Sequence, residues 1–434
     1  MKKDKSLNVA KPKVYSRKEH IISRKNIDPD ALKIMYRLNR YGYKAYLVGG
    51  GVRDLLLKKA PKDFDIATNA TPRQIKSLFR NSRIIGRRFK LIHVFFKNGK
   101  IIEVSTFRDT QNEIESNSGN QTQKDNTYGT EATDAFRRDL TINALFYSTD
   151  NFSIIDYVGG IEDLDNEIIR MIGDPNQRLP EDPVRLMRVI RHAVKANFKI
   201  ESNLEKALKK HSKLIVDSSP MRVYEELRKD FASGYCLDIF RGLKKYSILQ
   251  YLLPELCNSP KLLTPQSLLS DSIEIVDQYS LIQGKQVSTT AFLSILFLFH
   301  GLDQTLEIKK IDTFPSKEVI CDLSQQSFKT LAIPRKERER IEKTILLWKY
   351  LIETPIEKLK VNSLTSRSAI DDLRDIFEVL YRDTRPELTD LVEKILNKKV
   401  TKGRNSTIRT NKTRKATKNT SKKKQRKSAR RGTK

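Results

Sequence analysis

Residues 46–65, YLVGGGVRDLLLKKAPKDFD, constrain this chain more than any other stretch. A short apolar strand (Tyr46, Leu47, Val48) runs into three glycines (Gly49, Gly50, Gly51), a helix opens with Val52, Arg53 and Asp54, and the stretch ends on Asp63 and Asp65. A strand, a glycine turn and a helix start together offer free backbone N–H groups to a phosphate, and Arg53 adds a positive charge beside them. Asp63 and Asp65 alternate along an extended segment, so both carboxylates point to one face. Two carboxylates on one face beside a phosphate cradle are what two Mg²⁺ ions need for phosphoryl or nucleotidyl transfer. A glycine turn or an Asp-x-Asp pair alone is commonplace; their succession within one short stretch carries the inference.

At 434 residues the chain has room for several domains with real cores. Its longest apolar run, residues 291–299, falls short of the roughly 20 residues that cross a bilayer and reads as a buried helix. The N-terminus has a basic start without an apolar region, so secretion and membrane attachment are not expected. Cys236, Cys257 and Cys321 are scattered and form no CxxC pair, which fits a reducing cytoplasm and excludes a cysteine zinc site. The net charge of +30 is concentrated at the ends. Residues 398–434 hold 17 Lys/Arg and no acid, residues 1–27 hold 9 basic against 2 acidic residues (+7), and 30 − 17 − 7 leaves +6 for residues 28–397. Both ends are expected to be disordered, and the C-terminal tail to contact RNA electrostatically.

Taken in order, Asp28 caps a helix that ends before Gly42, Thr71-Pro72 starts another, and residues 83–86, 91–96 and 100–106 are strands with a turn at Asn98-Gly99. In the strand IIEVSTF, Glu103 is the one acid, with Ile101 and Ser105 as its neighbours in phase, which makes it the candidate third carboxylate. Residues 110–127 are polar and read as a mobile loop at the edge of the site. Residues 135–147, AFRRDLTINALFY, are expected to be a helix presenting Arg138, Asp139 and Asn143 on one polar edge. Residues 154–156 and 168–172 follow as strands around a short helix. Beyond Pro180 the pattern turns helical. A helix over residues 181–195 carries Asp182, Arg185, Arg188 and Arg191 at three-residue steps, a ridge able to read a base edge and meet phosphates; a solvated intrahelical salt bridge is the plain alternative. Glu225 or Glu226 is placed to brace that ridge, and the lone His300 reads as packed rather than catalytic.

LVGGGVRD, DFD, RRDLTINAL and EDPVRLMRVIR in this order resemble the class II branch of the polymerase-beta-like nucleotidyltransferases, which holds bacterial poly(A) polymerases and CCA-adding tRNA nucleotidyltransferases. The resemblance covers about residues 30–260. It implies an α+β fold: a small mixed-sheet catalytic head (28–178), a helical neck (179–260), a helical body (261–397), a disordered N-terminal arm (1–27) and a disordered basic tail (398–434). It also implies that Asp63 and Asp65 hold two Mg²⁺, with Glu103 as third ligand, and that Gly49, Gly50 and Arg53 position the triphosphate. Arg138, Asp139 and Asn143 would then shape the ribose site, and Asp182 and Arg185 would template the base with Arg188 and Arg191 nearby. Residues 84–96, IIGRRFKLIHVFF, are similar to the poly(A) polymerase pattern, and no HD phosphohydrolase signature appears. The expected activity is therefore AMP transfer from ATP to the 3′ ends of mRNA and decay intermediates, with CCA or A addition to tRNA as the alternative and an inactive RNA-binding regulator as the distant one.

Overall fold

Asp28 opens the first helix as expected: its carboxylate accepts the N–H groups of Asp30 (2.8 Å) and Ala31 (3.4 Å), and Pro29 occupies the first turn of α1 (Pro29–Arg40). Such a cap contributes about 1 kcal/mol. The computed structural model describes residues 11–86, 90–109, 128–258, 261–308, 311, 313–359, 364 and 369–397. Residues 87–89 of the Gly-Arg-Arg-Phe motif, the 110–127 loop and the basic tail lie outside the described residues. The chain divides into two compact units, Met1–Leu214 and Ile215–Lys434.

The first unit is built on one mixed sheet. Its strands are β1 (Lys13–Tyr15), β2 (Ala45–Val48), β3 (Asp65–Thr68), β4 (Ser82–Ile85), β5 (Leu91–Phe95), β6 (Ile101–Thr106), β7 (Leu145–Ser148) and β8 (Ile154–Asp156), in the order β1-β8-β7-β2-β3-β6-β5-β4. Only β3 and β6 are parallel; every other neighbouring pair is antiparallel. Between strands lie α2 (Gly50–Leu56), α3 (Pro72–Leu78) and α4 (Glu131–Phe136), α5 (Gly160–Asp165) follows β8, and Thr71 and Gln74 close a reciprocal capping box on α3. Tyr46, Val48, Ala67, Phe107, Ala135, Ala144, Phe146 and Ile172 form a buried cluster beneath the glycine turn. The hairpin expected at Asn98-Gly99 is present, with Asn98 at φ 61° and Gly99 at φ 75°, the left-handed region those residues tolerate best.

Four expectations need correction. Residues 11–27 are ordered: β1 adds to the edge of the sheet against β8, Ile22 and Ile27 are buried, and His20 Nε2 lies 2.8 Å from the Phe152 carbonyl. Residues 135–147 are not one helix. α4 ends at Phe136, a single 3₁₀ turn covers Thr141–Asn143, and residues from Leu145 onward form β7, because Phe146 pairs with Val48 on one side and Ile155 on the other. The helix expected over residues 181–195 is broken. α6 (Pro175–Glu181) stops, Asp182 takes φ −147° and ψ 87°, and α7 (Arg185–Ala196) starts anew. Pro183 explains the break, since the residue before a proline is driven out of the helical region. The strand expected over residues 168–172 shrinks to β9 (Ile168–Ile169), paired in parallel with β10 (Lys199–Ile200).

Among the described residues of the second unit the regular structure is all helical. Thr289–Phe299 is buried from Thr290 to Phe299, as the apolar run predicts, and Trp348 meets the rings of Phe299, Phe314 and Tyr381 at centroid distances of 5.4–6.1 Å. His300 is packed, with Nδ1 2.8 Å from the Phe297 carbonyl and Nε2 3.1 Å from Ser327 Oγ. Glu225 pairs with Arg228 and Glu226 with Lys229 along their own helix, Pro220–Phe231. Among the described residues no helix is long and apolar enough to cross a membrane, and the three cysteines are free.

Candidate active site

The glycine turn sets the geometry of the site. Gly49 sits at φ 72° and ψ −144°, which a residue with a side chain rarely adopts, and a Cβ on it would point between Arg138 Nη1 (3.5 Å) and Asp65 Oδ2 (3.6 Å). A Cβ on Gly51 would stand 3.1 Å from the carbonyl oxygen of Asp63, so this glycine lets the start of α2 lie against the backbone that carries the first aspartate.

The three expected carboxylates lie near one another in the sheet. β3 and β6 run side by side with Ile66 beside Val104, which places Asp65 next to Glu103, and Asp63 lies two residues before Asp65 on the approach to β3. Asp65 carries the consequence: burial first, then the charges of Glu103 and Asp63, push its pKa up to about 6 against a smaller opposing effect of Arg138. Among the described residues no three His, Cys, Asp or Glu side chains stand together closely enough to hold a metal ion as they are placed. Asp63, Asp65 and Glu103 are oxygen donors, the kind a hard divalent cation takes, and Glu103 is exposed. Glu103 also accepts from His93, with Nε2 to Oε1 at 3.2 Å.

The basic residues are arranged differently from the expectation. Arg53 is buried, and all three of its side-chain nitrogens are engaged: Nε and Nη2 donate to Asp54 Oδ1 (2.9 and 2.7 Å), while Nη1 donates to Asn143 Oδ1 (2.7 Å) and lies 3.2 Å from His192 Nδ1. It lends the turn a fixed charge from beneath and does not reach outward. Asn143 therefore anchors Arg53. His192 stays neutral, because burial and then the Arg53 charge hold its pKa well below the ordinary value. Arg138 donates to Asp134 Oδ2 from Nε (3.2 Å) and Nη2 (2.9 Å), and its guanidinium carbon lies 5.4 Å from the Phe146 ring centroid. Burial would raise the Asp134 pKa, but Arg138 and Arg137 outweigh it and hold the carboxylate below its ordinary range.

Asp139 clamps α7. Its Oδ1 accepts from Arg185 Nε and its Oδ2 from Arg188 Nη1, both at 2.7 Å, and these two arginines overcome burial to keep its pKa low. Arg185 also donates to the Arg178 carbonyl at 2.6 Å. Asp182 lies in the break before α7 rather than on it, so the four-residue ridge is an arginine helix preceded by a kinked aspartate. Arg191 is buried: each three-residue step falls about 60° short of a full turn, which carries it from the open side of α7 to the packed side. Sequence reasoning missed Asp134, although its four-residue spacing to Arg138 is a readable helix pair, and missed His192, whose partner Arg53 lies 139 residues away.

A mixed sheet thus presents acids on adjacent parallel strands beside a glycine turn, with an arginine-bearing helix following in the same unit. The family described as Poly A polymerase head domain matches residues 45–170, and the one described as probable RNA and SrmB-binding site of polymerase A matches residues 197–259. Over residues 45–170 the chain is thus similar to Poly A polymerase head domains. The chain is 46% identical over 255 residues to poly(A) polymerase I of Salmonella typhi (57% of this chain, 55% of the relative) and 37% identical over 207 residues to the CCA-adding enzyme of Bacillus pumilus (48% and 50%). It spans about half the length of the curated relatives it matches. The fold is shared with the Bacillus stearothermophilus CCA-adding enzyme crystallised with CTP, at a TM-score of 0.60 and 22% identity, over 86% of this chain and 83% of that one.

Proposed function

We propose that this protein is a template-independent poly(A) polymerase that transfers AMP from ATP to RNA 3′ ends with release of pyrophosphate. The observation that carries the reading is the juxtaposition of Asp63, Asp65 and Glu103 beside the Gly49 turn, with Asp65 driven toward protonation by burial and then by the acidic neighbours whose charge a divalent cation would offset. Those three residues would hold Mg²⁺, which supplies Lewis-acid stabilisation of the attacking and leaving oxygens. The backbone of the Gly49–Gly50 turn and the buried charge of Arg53 orient the triphosphate. Arg138, fixed by Asp134, faces the same turn. Asp139 acts at one remove, by holding Arg185 and Arg188, and Arg185 with Asp182 selects adenine by leaving a wrong base's polar edge unpaired.

Preference for poly(A) over CCA addition is supported by the higher identity over a longer stretch, 46% over 255 residues against 37% over 207. The test is primer extension with Mg²⁺, on an unstructured RNA and on a tRNA lacking its 3′ end, with each nucleoside triphosphate alone and then all together. Long ladders from ATP alone on the unstructured RNA are expected. Extension confined to the tRNA that stops after C, C and A would replace this reading with the CCA-adding one.

A further inference from the structure

Strands β5 and β6 have one closed face and one open face, and β4 at the sheet edge continues the open one while Ile84 on its other side is also exposed. Ile92, Val94, Ile102 and Val104 are buried on the closed side, while the alternate residues of β5 and β6 are half-buried or exposed. The open residues stand in cross-strand rows: Ile101 opposite Phe95; Glu103 opposite His93 opposite Arg83; Ser105 opposite Leu91 opposite Ile85. The middle row continues into the carboxylates, because Asp65 lies beside Glu103 on β3. Asp65, Glu103, His93 and Arg83 therefore follow one another on one face across four strands.

The chemistry of this face changes along the row, from acid at Asp65 and Glu103 to an imidazole at His93 and an exposed guanidinium at Arg83. Beside it the ring of Phe95 meets that of His93 edge to face, with centroids 6.3 Å apart, and Ile101 is 45% exposed. Open rings and an aliphatic surface next to an arginine are what unpaired nucleotides use: bases stack on the rings and the cation meets a phosphate. A protein partner would cover the apolar residues equally well. It would also close over the carboxylates at the end of the row, which transfer requires to stay open. With neighbouring strands about 4.8 Å apart, Arg83 lies about 10 Å from Glu103, within reach of the terminal nucleotides of a strand whose end is at the carboxylates. The Gly49 turn and Arg138 lie on the opposite side of Asp65, as in-line transfer demands of its two substrates.

We propose that the open face of β4–β6 is the platform for the 3′-terminal nucleotides of the RNA acceptor. Phe95, His93 and Ile101 carry the last bases, Arg83 meets the phosphate between them, and the 3′ hydroxyl is left at Glu103 and Asp65. This rests on the nucleotidyl-transfer reading above and adds the acceptor's path to it.

The test measures binding of the full chain to a fluorescent RNA with a 3′-deoxy end, in linear form and as a circle of the same sequence, by anisotropy without nucleotide. Arg83→Ala and Phe95→Ala are expected to weaken binding of the linear RNA roughly 10-fold and leave the circle unchanged, whereas Phe95→Tyr keeps the ring and the affinity. In extension assays the same variants should raise KM for RNA and not for ATP. Equal loss on both RNAs, a rise in KM for ATP alone, or no change in either would overturn the platform. Arg83 is exposed, so its variant separates the question from folding, and melting curves check Phe95→Ala. If the wild-type chain prefers the linear RNA but extends it with no nucleotide, the transfer reading fails and the platform stands.

Discussion

Asp139→Asn asks whether this carboxylate serves α7 or the reacting groups. The carboxylate is 20% exposed, Arg185 is 11% exposed and Arg188 is 33% exposed. Asparagine keeps one acceptor oxygen, turns an amide N–H toward the second guanidinium, and removes the charge both arginines share. A hydrogen bond to a charged group contributes about 1.5–3 kcal/mol, and stranding a buried charge costs about 3–5 kcal/mol. Arg188 can turn to water, so a loss of about 2–3 kcal/mol is expected, a roughly 30- to 150-fold rise in the opening equilibrium of α7. Hydrogen–deuterium exchange of residues 185–196 reads this directly. The pH dependence fixes the cause. Asp139 has a folded pKa below its unfolded one, so its contribution is complete above the ordinary aspartate range and is lost only as pH falls through the lowered value. The difference between wild type and variant should be the same at pH 7.5 and pH 5.5 and shrink below about pH 4. Unchanged α7 exchange together with an altered Mg²⁺ requirement would refute the reasoning and make Asp139 a metal ligand.

Asp63→Ala with Asp65→Ala should abolish nucleotide transfer and spare RNA binding in a filter assay; an equal fall in RNA binding would unseat the metal-site assignment. The Asp65 pKa is raised, so its ionised form is disfavoured in the folded head. Without Mg²⁺ the protein should lose stability as pH rises from about 4 to 7, by about 2 kcal/mol, and Asp65→Asn should flatten that slope in urea titrations. Mg²⁺ added at pH 6 should release protons from the wild type, measured in two buffers of different ionisation enthalpy, and fewer from Asp65→Asn. Gly49→Ala forces a side chain into a glycine-only conformation, at a cost of about 1–3 kcal/mol, and should lower the melting temperature and raise KM for ATP.

What could be read from the sequence was local. The run from β2 through the glycine turn to Asp65, the Asp28 and Thr71 caps and the β5–β6 hairpin each depend on residues a few positions apart, and all form. The failures share a non-local cause. Residues 135–147 space Leu140, Ala144 and Leu145 as a helix does, and only pairing of Phe146 with Val48 and Ile155 makes the end of that segment a strand. Lys13–Tyr15 is too short to announce itself and becomes a strand because β8 offers it an edge. Arg53 looked like a phosphate ligand because Asn143 and His192, which engage it, are distant in the chain. The break at Asp182 was legible in Pro183 and was overridden by the three-residue spacing of the arginines.

The placement of β1 also sets a timetable for synthesis. Lys13–Tyr15 is made some 140 residues before its partner Ile154–Asp156, and β2 must likewise wait for β7. At about 5–20 residues per second the first strand stays unpaired for roughly 7 to 30 seconds. A nascent chain with an unsatisfied leading strand and a half-built sheet is a natural client for a holdase, and the lysines and arginines around Val14 keep that waiting segment soluble until the edge it closes exists.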